Sequence, residues 1–249
     1  MKNVSLRSVF ASLTLANMSE NETLKPYLEN MKTEFRAEEK EGQKEADLYI
    51  YGPIGSSMFG DTVSAKDVMD FLNSTNAETI NLYINSPGGD VFDGLAIYNQ
   101  LKRQEATVNV HVDGLAASAA SIIALGGDNL YMPKTSTLMV HHAWTIALGN
   151  AKEFRKVADD LDKIAEAYIA AYEEKFRGTR QELENLLDDE TFLSASEAVT
   201  FGFADQEVEE KTQNRDEPVK NSLLAKYTAS AKKTKPNLLN RFKKEEEDK

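Results

Sequence analysis

Four stretches carry strand signals, either an alternation of inward and outward positions with a period of two or a short apolar run. They are 47–52 (DLYIYG), 79–85 (TINLYIN, with Ile80, Leu82 and Ile84 on one face), 107–112 (TVNVHV, with Val108, Val110 and Val112 on one face) and the apolar 137–140 (TLMV). Between and beyond them the apolar positions recur at three and four, which predicts helices over 63–73, 92–104, 116–125 and 180–187. The clearest helix runs from Lys152 to Arg177, where Phe154, Val157, Leu161, Ile164, Tyr168, Ile169 and Tyr172 share one stripe and Gly178 supplies the stop. Strand and helix signals alternate from Asp47 to Asp205, so the expected fold class is α/β, built from βα units with no further internal repeat. The predicted division is an arm over 1–46, a domain over 47–210 and a tail over 211–249.

The flanks differ from this body in composition. Residues 20–46 are rich in Glu and Lys with little apolar content, and they read as a mobile arm or an isolated helix broken at Gly42. Residues 211–249 carry 11 Lys/Arg against 6 Asp/Glu, whereas residues 1–210 carry 18 against 35. So acidic a body argues against nucleic-acid binding by the folded part, because phosphate contact takes stripes of Lys and Arg. The basic tail reads as a solvated, disordered segment. The chain has no cysteine, which excludes a disulfide framework, a thiolate metal site and a cysteine nucleophile. Its least polar stretch, Gly114 to Gly127, is short of the roughly 20 apolar residues a membrane helix needs, so no membrane span is expected and the cytoplasm is the expected compartment. Met1 to Ala16 places Lys2 and Arg7 ahead of VFASLTLA, but Ser12 and Thr14 break the apolar run and no secretory leader is expected.

Two glycine-rich turns follow strands and lead into helices. In the first, Ser86-Pro87-Gly88-Gly89, adjacent glycines can present backbone N–H groups to a ligand, although the spacing is not that of a nucleotide loop. In the second, Asp113-Gly114-Leu115 runs into Ala116-Ala117-Ser118-Ala119-Ala120-Ser121. Ser118 falls near the first turn of the helix, where free N–H groups favour a developing oxyanion, and an ordinary capping serine fits the same place. Ser121, one turn further in, reads as a packing serine. A serine nucleophile needs a base, and His141-His142 at the end of the strand 137–140 lie where sites assemble in α/β sheets. His111, within a strand, reads as a half-exposed sheet residue. Metal binding by the histidine pair is not expected, because neighbours on an extended chain point oppositely and no third ligand follows at the needed spacing. Asp188, Asp189 and Glu190 each could orient the imidazole, and spacing does not choose among them.

Taken in order, YINSPGGDVFDGLAIYNQL, DGLAASAAS, LMVHHAW and ETFLSASEAVTFGFAD resemble the Clp-type serine peptidases, over roughly Asp47 to Asp205. His142-Ala143-Trp144 and the run from Gly149 to Tyr172 resemble in particular the phage branch, the head maturation (prohead) proteases. The resemblance implies a Clp-peptidase or crotonase-like βα superhelix whose protruding handle is the helix from Lys152. It implies Ser118 as nucleophile, His141 as base, and an oxyanion hole from the N–H groups of Gly88 or Gly89 and of Ala119. The family acid lies two residues before the Phe of FLSA, which here is Glu190, where housekeeping members carry Asp. No metal and no cofactor are implied. The implied partners are copies of the chain itself in stacked rings, as a heptamer or tetradecamer, with capsid or scaffold precursors as substrates. The N-terminal loop with which the housekeeping subunit meets its ATPase is not recognisable, which argues against an ATPase partner. The expected function is therefore an ATP-independent serine endopeptidase. A crotonase-like acyl-CoA enzyme and a non-catalytic capsid assembly protein are the alternatives, and the joint presence of Ser118 and His141 favours the peptidase.

Overall fold

Strands form where the alternation is cleanest, and their inward rows make the core. In the computed structural model, which describes residues 33–40, 44–55 and 61–209, Leu48 and Ile50, then Ile80, Leu82 and Ile84, then Val108, Val110 and Val112 are fully buried or nearly so. The elements in chain order are β1 (Glu34–Glu39), β2 (Glu45–Tyr51), α1 (Ala65–Ser74), β3 (Thr79–Ser86), α2 (Val91–Lys102), β4 (Thr107–Ala117) and α3 (Ala119–Leu125). There follow β5 (Asn129–Pro133), β6 (Thr137–Val140), α4 (Ala151–Glu173), α5 (Arg180–Asp188), β7 (Thr191–Ser194), α6 (Ala195–Phe201) and β8 (Gln206–Val208). The strands run in the order β1-β2-β3-β4-β5-β8, with β6 attached to β4 and β7 attached to β6. All neighbours are parallel except β1 on β2 and β7 on β6. This is the mixed α/β architecture expected from the sequence.

Several helix starts were written locally. Ser64 with Asp67, Asn150 with Glu153, Thr179 with Glu182 and Ser194 with Glu197 each form a reciprocal capping box at the head of α1, α4, α5 and α6. The opposite face of the sheet carries a row of stacked rings, Tyr49 on Tyr83, Tyr83 on His111 and His111 on Tyr131, with centroids 4.8, 5.0 and 5.1 Å apart. His111 is thus a partly buried rung of a cross-strand ladder, in keeping with its reading as a sheet residue.

Two expectations are corrected. Residues 34–39, read as part of an arm or a helix, form β1, antiparallel to β2 with Glu34 opposite Tyr51 and Glu39 opposite Ala46. Its polar composition is that of an edge: Phe35 packs on the core, while Arg36 pairs with Glu34 and Glu38 and lies 4.0 Å from the Tyr49 ring centre. The handle helix ends at Glu173, before Arg177, because Glu174 turns to Tyr98 and Lys102 and Phe176 stacks on Phe201 and Phe203. Its stripe also divides: Tyr168, Ile169 and Tyr172 are buried within the subunit, whereas Phe154 remains 49% exposed. The readings of 1–32, Gly42 and 211–249 lie outside the described residues. The part played by β1 is testable by urea unfolding. Phe35→Ser should lower stability by about 1–2 kcal/mol, the loss of one partly buried aromatic, while Glu34→Gln should change it by less than about 0.5 kcal/mol.

Candidate active site

The sheet's connectivity builds the site. The first half of β4 pairs with β5, through Asn109, Val110 and His111. Its last three residues leave β5 and pair with β6 instead, Leu115 with Thr137, Ala116 with Leu138 and Ala117 with Met139. Because this pairing is parallel, both strands end side by side. Ser118 follows β4 directly, His141 follows β6 directly, and the Ser118 N–H donates to the Met139 carbonyl at 3.0 Å. Ser118 Oγ then lies 2.7 Å from His141 Nε2. Residues far apart in sequence meet because the strands carrying them are in register.

Ser118 stands at the N-cap position of α3, yet its side chain makes no capping bond. Its backbone has φ 55° and ψ −126°, a conformation that costs a non-glycine residue about 1–3 kcal/mol. That strain turns the hydroxyl away from the helix N–H groups and toward the imidazole. The Gly88-Gly89 turn packs against the same corner. A Cβ on Gly88 would lie 2.5 Å from the Ala117 carbonyl oxygen and 2.7 Å from Ser118 Cβ, and at φ 87° it would be strained in any case. The Gly88 N–H donates to the buried Ser86 hydroxyl at 3.0 Å. The N–H groups of Gly89 and Ala119 donate to no group among the described residues. Of the three expected oxyanion donors, Gly88 is therefore committed elsewhere and the other two are open.

His141 is half-buried, and burial holds its pKa below the ordinary imidazole value of 6.5; Glu190 opposes that shift and His142 adds to it. A neutral ring with its proton on Nδ1 accepts from the Ser118 hydroxyl through Nε2. The three acidic candidates have separate surroundings. Asp188 binds His142 Nε2 at 3.1 Å, Asp189 caps α5 through its backbone, and Glu190 is the carboxylate whose charge acts on His141. No hydrogen bond joins Glu190 to His141 among the described residues, so its effect is through charge. Glu190 occupies the left-handed region with φ 47°, a place where a helix end normally carries glycine. Sequence reasoning missed Ser86 as the partner of Gly88, and Tyr168, whose hydroxyl lies 2.8 Å from His142 Nδ1. The SxGG spacing was a usable signal for the first, and nothing local in the sequence pointed to the second.

The comparisons with known proteins give the family. A parallel-rich α/β sheet with a serine and a histidine paired at adjacent strand ends defines a serine hydrolase. Residues 38–211 match the Clp protease family, and the chain belongs to it. It is 27% identical over 175 residues to the ATP-dependent Clp protease proteolytic subunit of Deinococcus radiodurans, an alignment covering 69% of this chain and 84% of that protein. The chain is a serine endopeptidase. No helix among the described residues is long and apolar enough to cross a membrane.

The electrostatics carry a signed expectation. The Glu190 carboxylate favours the imidazolium, so Glu190→Gln should move the His141 titration, already below 6.5, further toward acid. Following the His141 ring by NMR against pH checks this; an unmoved midpoint would detach Glu190 from the histidine.

Proposed function

We propose that Ser118, His141 and Glu190 act as nucleophile, base and charge partner in peptide hydrolysis, with the N–H groups of Gly89 and Ala119 as the oxyanion hole. The observation that carries this is the 2.7 Å contact between Ser118 Oγ and His141 Nε2 at a strained strand-to-helix corner. The Ser118 proton passes to His141 as the oxygen attacks the substrate carbonyl. The resulting negative charge is met by two N–H groups that have no other acceptor among the described residues. The imidazolium then delivers its proton to the leaving amine, and water resolves the acyl-enzyme by the same steps in reverse. Glu190 stabilises the imidazolium while that charge lasts. Its strained backbone is the kind of local cost that a site residue retains.

The substrates we assign are capsid or scaffold precursors, processed during phage head maturation without ATP in the host cytoplasm or the procapsid. This finer reading is supported by the His142-Ala143-Trp144 segment and by the run from Gly149 to Tyr172, which resemble the prohead branch. The working state is a set of stacked rings of the same chain. It is supported by the exposed half of α4, where Phe154 is 49% exposed, and by Leu148, 91% exposed, just before it. The folded domain, net acidic, is not assigned to nucleic acid.

Ser118→Ala and His141→Ala should each lower peptide hydrolysis by at least about a thousandfold with the fold intact, and a fluorophosphonate probe should label Ser118 in the wild-type protein. Labelling elsewhere would remove the assignment. Incubation with a phage major capsid protein precursor, followed by mass mapping, should show cuts without ATP. Strict dependence on an added ATPase would instead favour the ATP-dependent role that the Deinococcus relative's name carries.

A further inference from the structure

Behind Ser118 lies a polar connection that the proposed chemistry does not use. Ser121 is fully buried, and so, within 1%, is Tyr172 on α4. The Ser121 Oγ is 2.6 Å from the carbonyl oxygen of Ser118 and 2.7 Å from the Tyr172 hydroxyl. Directions follow from the atoms alone. A carbonyl only accepts, so the single hydroxyl hydrogen of Ser121 goes to Ser118, and Tyr172 must donate to Ser121. The same carbonyl also accepts the Ser121 N–H at 2.9 Å.

Burying two hydroxyls is unfavourable unless each is paired, and an alanine and a phenylalanine would fill the same volume with nothing to pair. What the hydroxyls add is a hold on one peptide group. That group belongs to a residue held in a rarely populated conformation, with φ 55° and ψ −126°. The same peptide plane carries the Ala119 N–H, and the Cα at its edge carries the Oγ that lies 2.7 Å from His141 Nε2. Burial also raises the Tyr172 phenol well above its ordinary pKa, which keeps it a donor throughout the working pH range.

We propose that Ser121 and Tyr172 are positioning residues, a buried pair of hydroxyls that clamps the Ser118 carbonyl and keeps its Oγ aimed at His141. The proposal rests on the reading of Ser118 as the nucleophile. It makes α4 a support of the catalytic corner, reached through a side chain rather than through the sheet.

The test uses the full chain as Ser121→Ala, Tyr172→Phe and the double variant, with kcat and KM on a peptide, the rate of fluorophosphonate labelling, and the melting temperature. Each single variant should lose roughly three- to tenfold in kcat and in labelling rate while KM stays within about twofold, as when one neutral hydrogen bond is lost from positioning. The double variant leaves no orphaned hydroxyl, so its melting temperature should recover relative to Ser121→Ala, but its labelling rate should stay low because the carbonyl keeps only its backbone N–H donors and has lost the hydroxyl. Recovery of rate together with melting temperature would reduce the pair to packing and overturn the clamp. Wild-type labelling at Ser118 with all variants labelling at the wild-type rate would overturn it as well. Wild-type protein that is not labelled at all would overturn the nucleophile reading, and the clamp with it. Should Ser121→Ala not fold, Tyr172→Phe decides alone, since it removes one oxygen, and an unchanged rate would sink the proposal.

Discussion

A strand that changes partners governs this molecule. β4 has 11 residues, long enough to pair with β5 over its first half and with β6 over its last three positions. The change coincides with a register irregularity against β3 between Ile84 and Ser86. A second strand can join only because the far half of β4 has turned away from β5, so the irregularity and the branch belong together. From that branch follows everything near Ser118. The β3 end delivers the Gly88-Gly89 turn to one side of it, the β6 end delivers His141 to the other, and α3 starts from it.

The site is therefore largely a property of the backbone. The donors proposed for the oxyanion are main-chain N–H groups, the Ser118 hydroxyl is aimed by an unusual φ and ψ, and Gly88 and Gly89 are required by contacts with main-chain atoms. Main-chain groups reorganise little as charge develops, which is why they stabilise a transition state better than mobile side chains do. The one strongly adjustable quantity is the proton affinity of His141. Burial lowers it and Glu190 raises it, a balance that suits the proposed role, in which a neutral ring accepts a proton and meets a counter-charge once it is an imidazolium.

How much of this was legible in the sequence varied with the kind of force involved. The inward rows of β2, β3 and β4 were legible because burial of one face imposes alternation on the residues themselves. β1 was not, since an edge strand is selected for charge and Arg36, Glu34 and Glu38 imitate a solvated arm. The stripe on α4 was legible as a stripe, but periodicity tells which residues share a face and not what covers them. Thus Tyr168 and Tyr172 were grouped with exposed Phe154 although they belong to the core. Ser118 and His141 were each plausible alone, and their pairing came from resemblance; spacing could not supply it, because it depends on the parallel register of β4 with β6. Which of Asp188, Asp189 and Glu190 acts on His141 depends on the surroundings each meets at the end of α5, which consecutive acidic letters do not reveal.

The adjacent histidines show how completely such surroundings divide identical side chains. The Ala143 N–H donates to the Tyr168 oxygen at 3.2 Å, and that hydroxyl lies 2.8 Å from His142 Nδ1. With Nδ1 accepting, the ring proton of a neutral His142 must be on Nε2, where Asp188 receives it at 3.1 Å. Both nitrogens of His142 are thereby occupied by structural partners, and it has no lone pair left for a substrate proton. His141, one residue earlier, has its Nε2 on Ser118 and feels a carboxylate without being bonded to it. Only the second arrangement aims a nitrogen at the hydroxyl whose proton the proposed chemistry transfers. Under the proposed chemistry the chain separates anchoring from proton transfer in two neighbouring residues: His142 ties the segment after β6 to α4 and α5, and His141 is left to the serine.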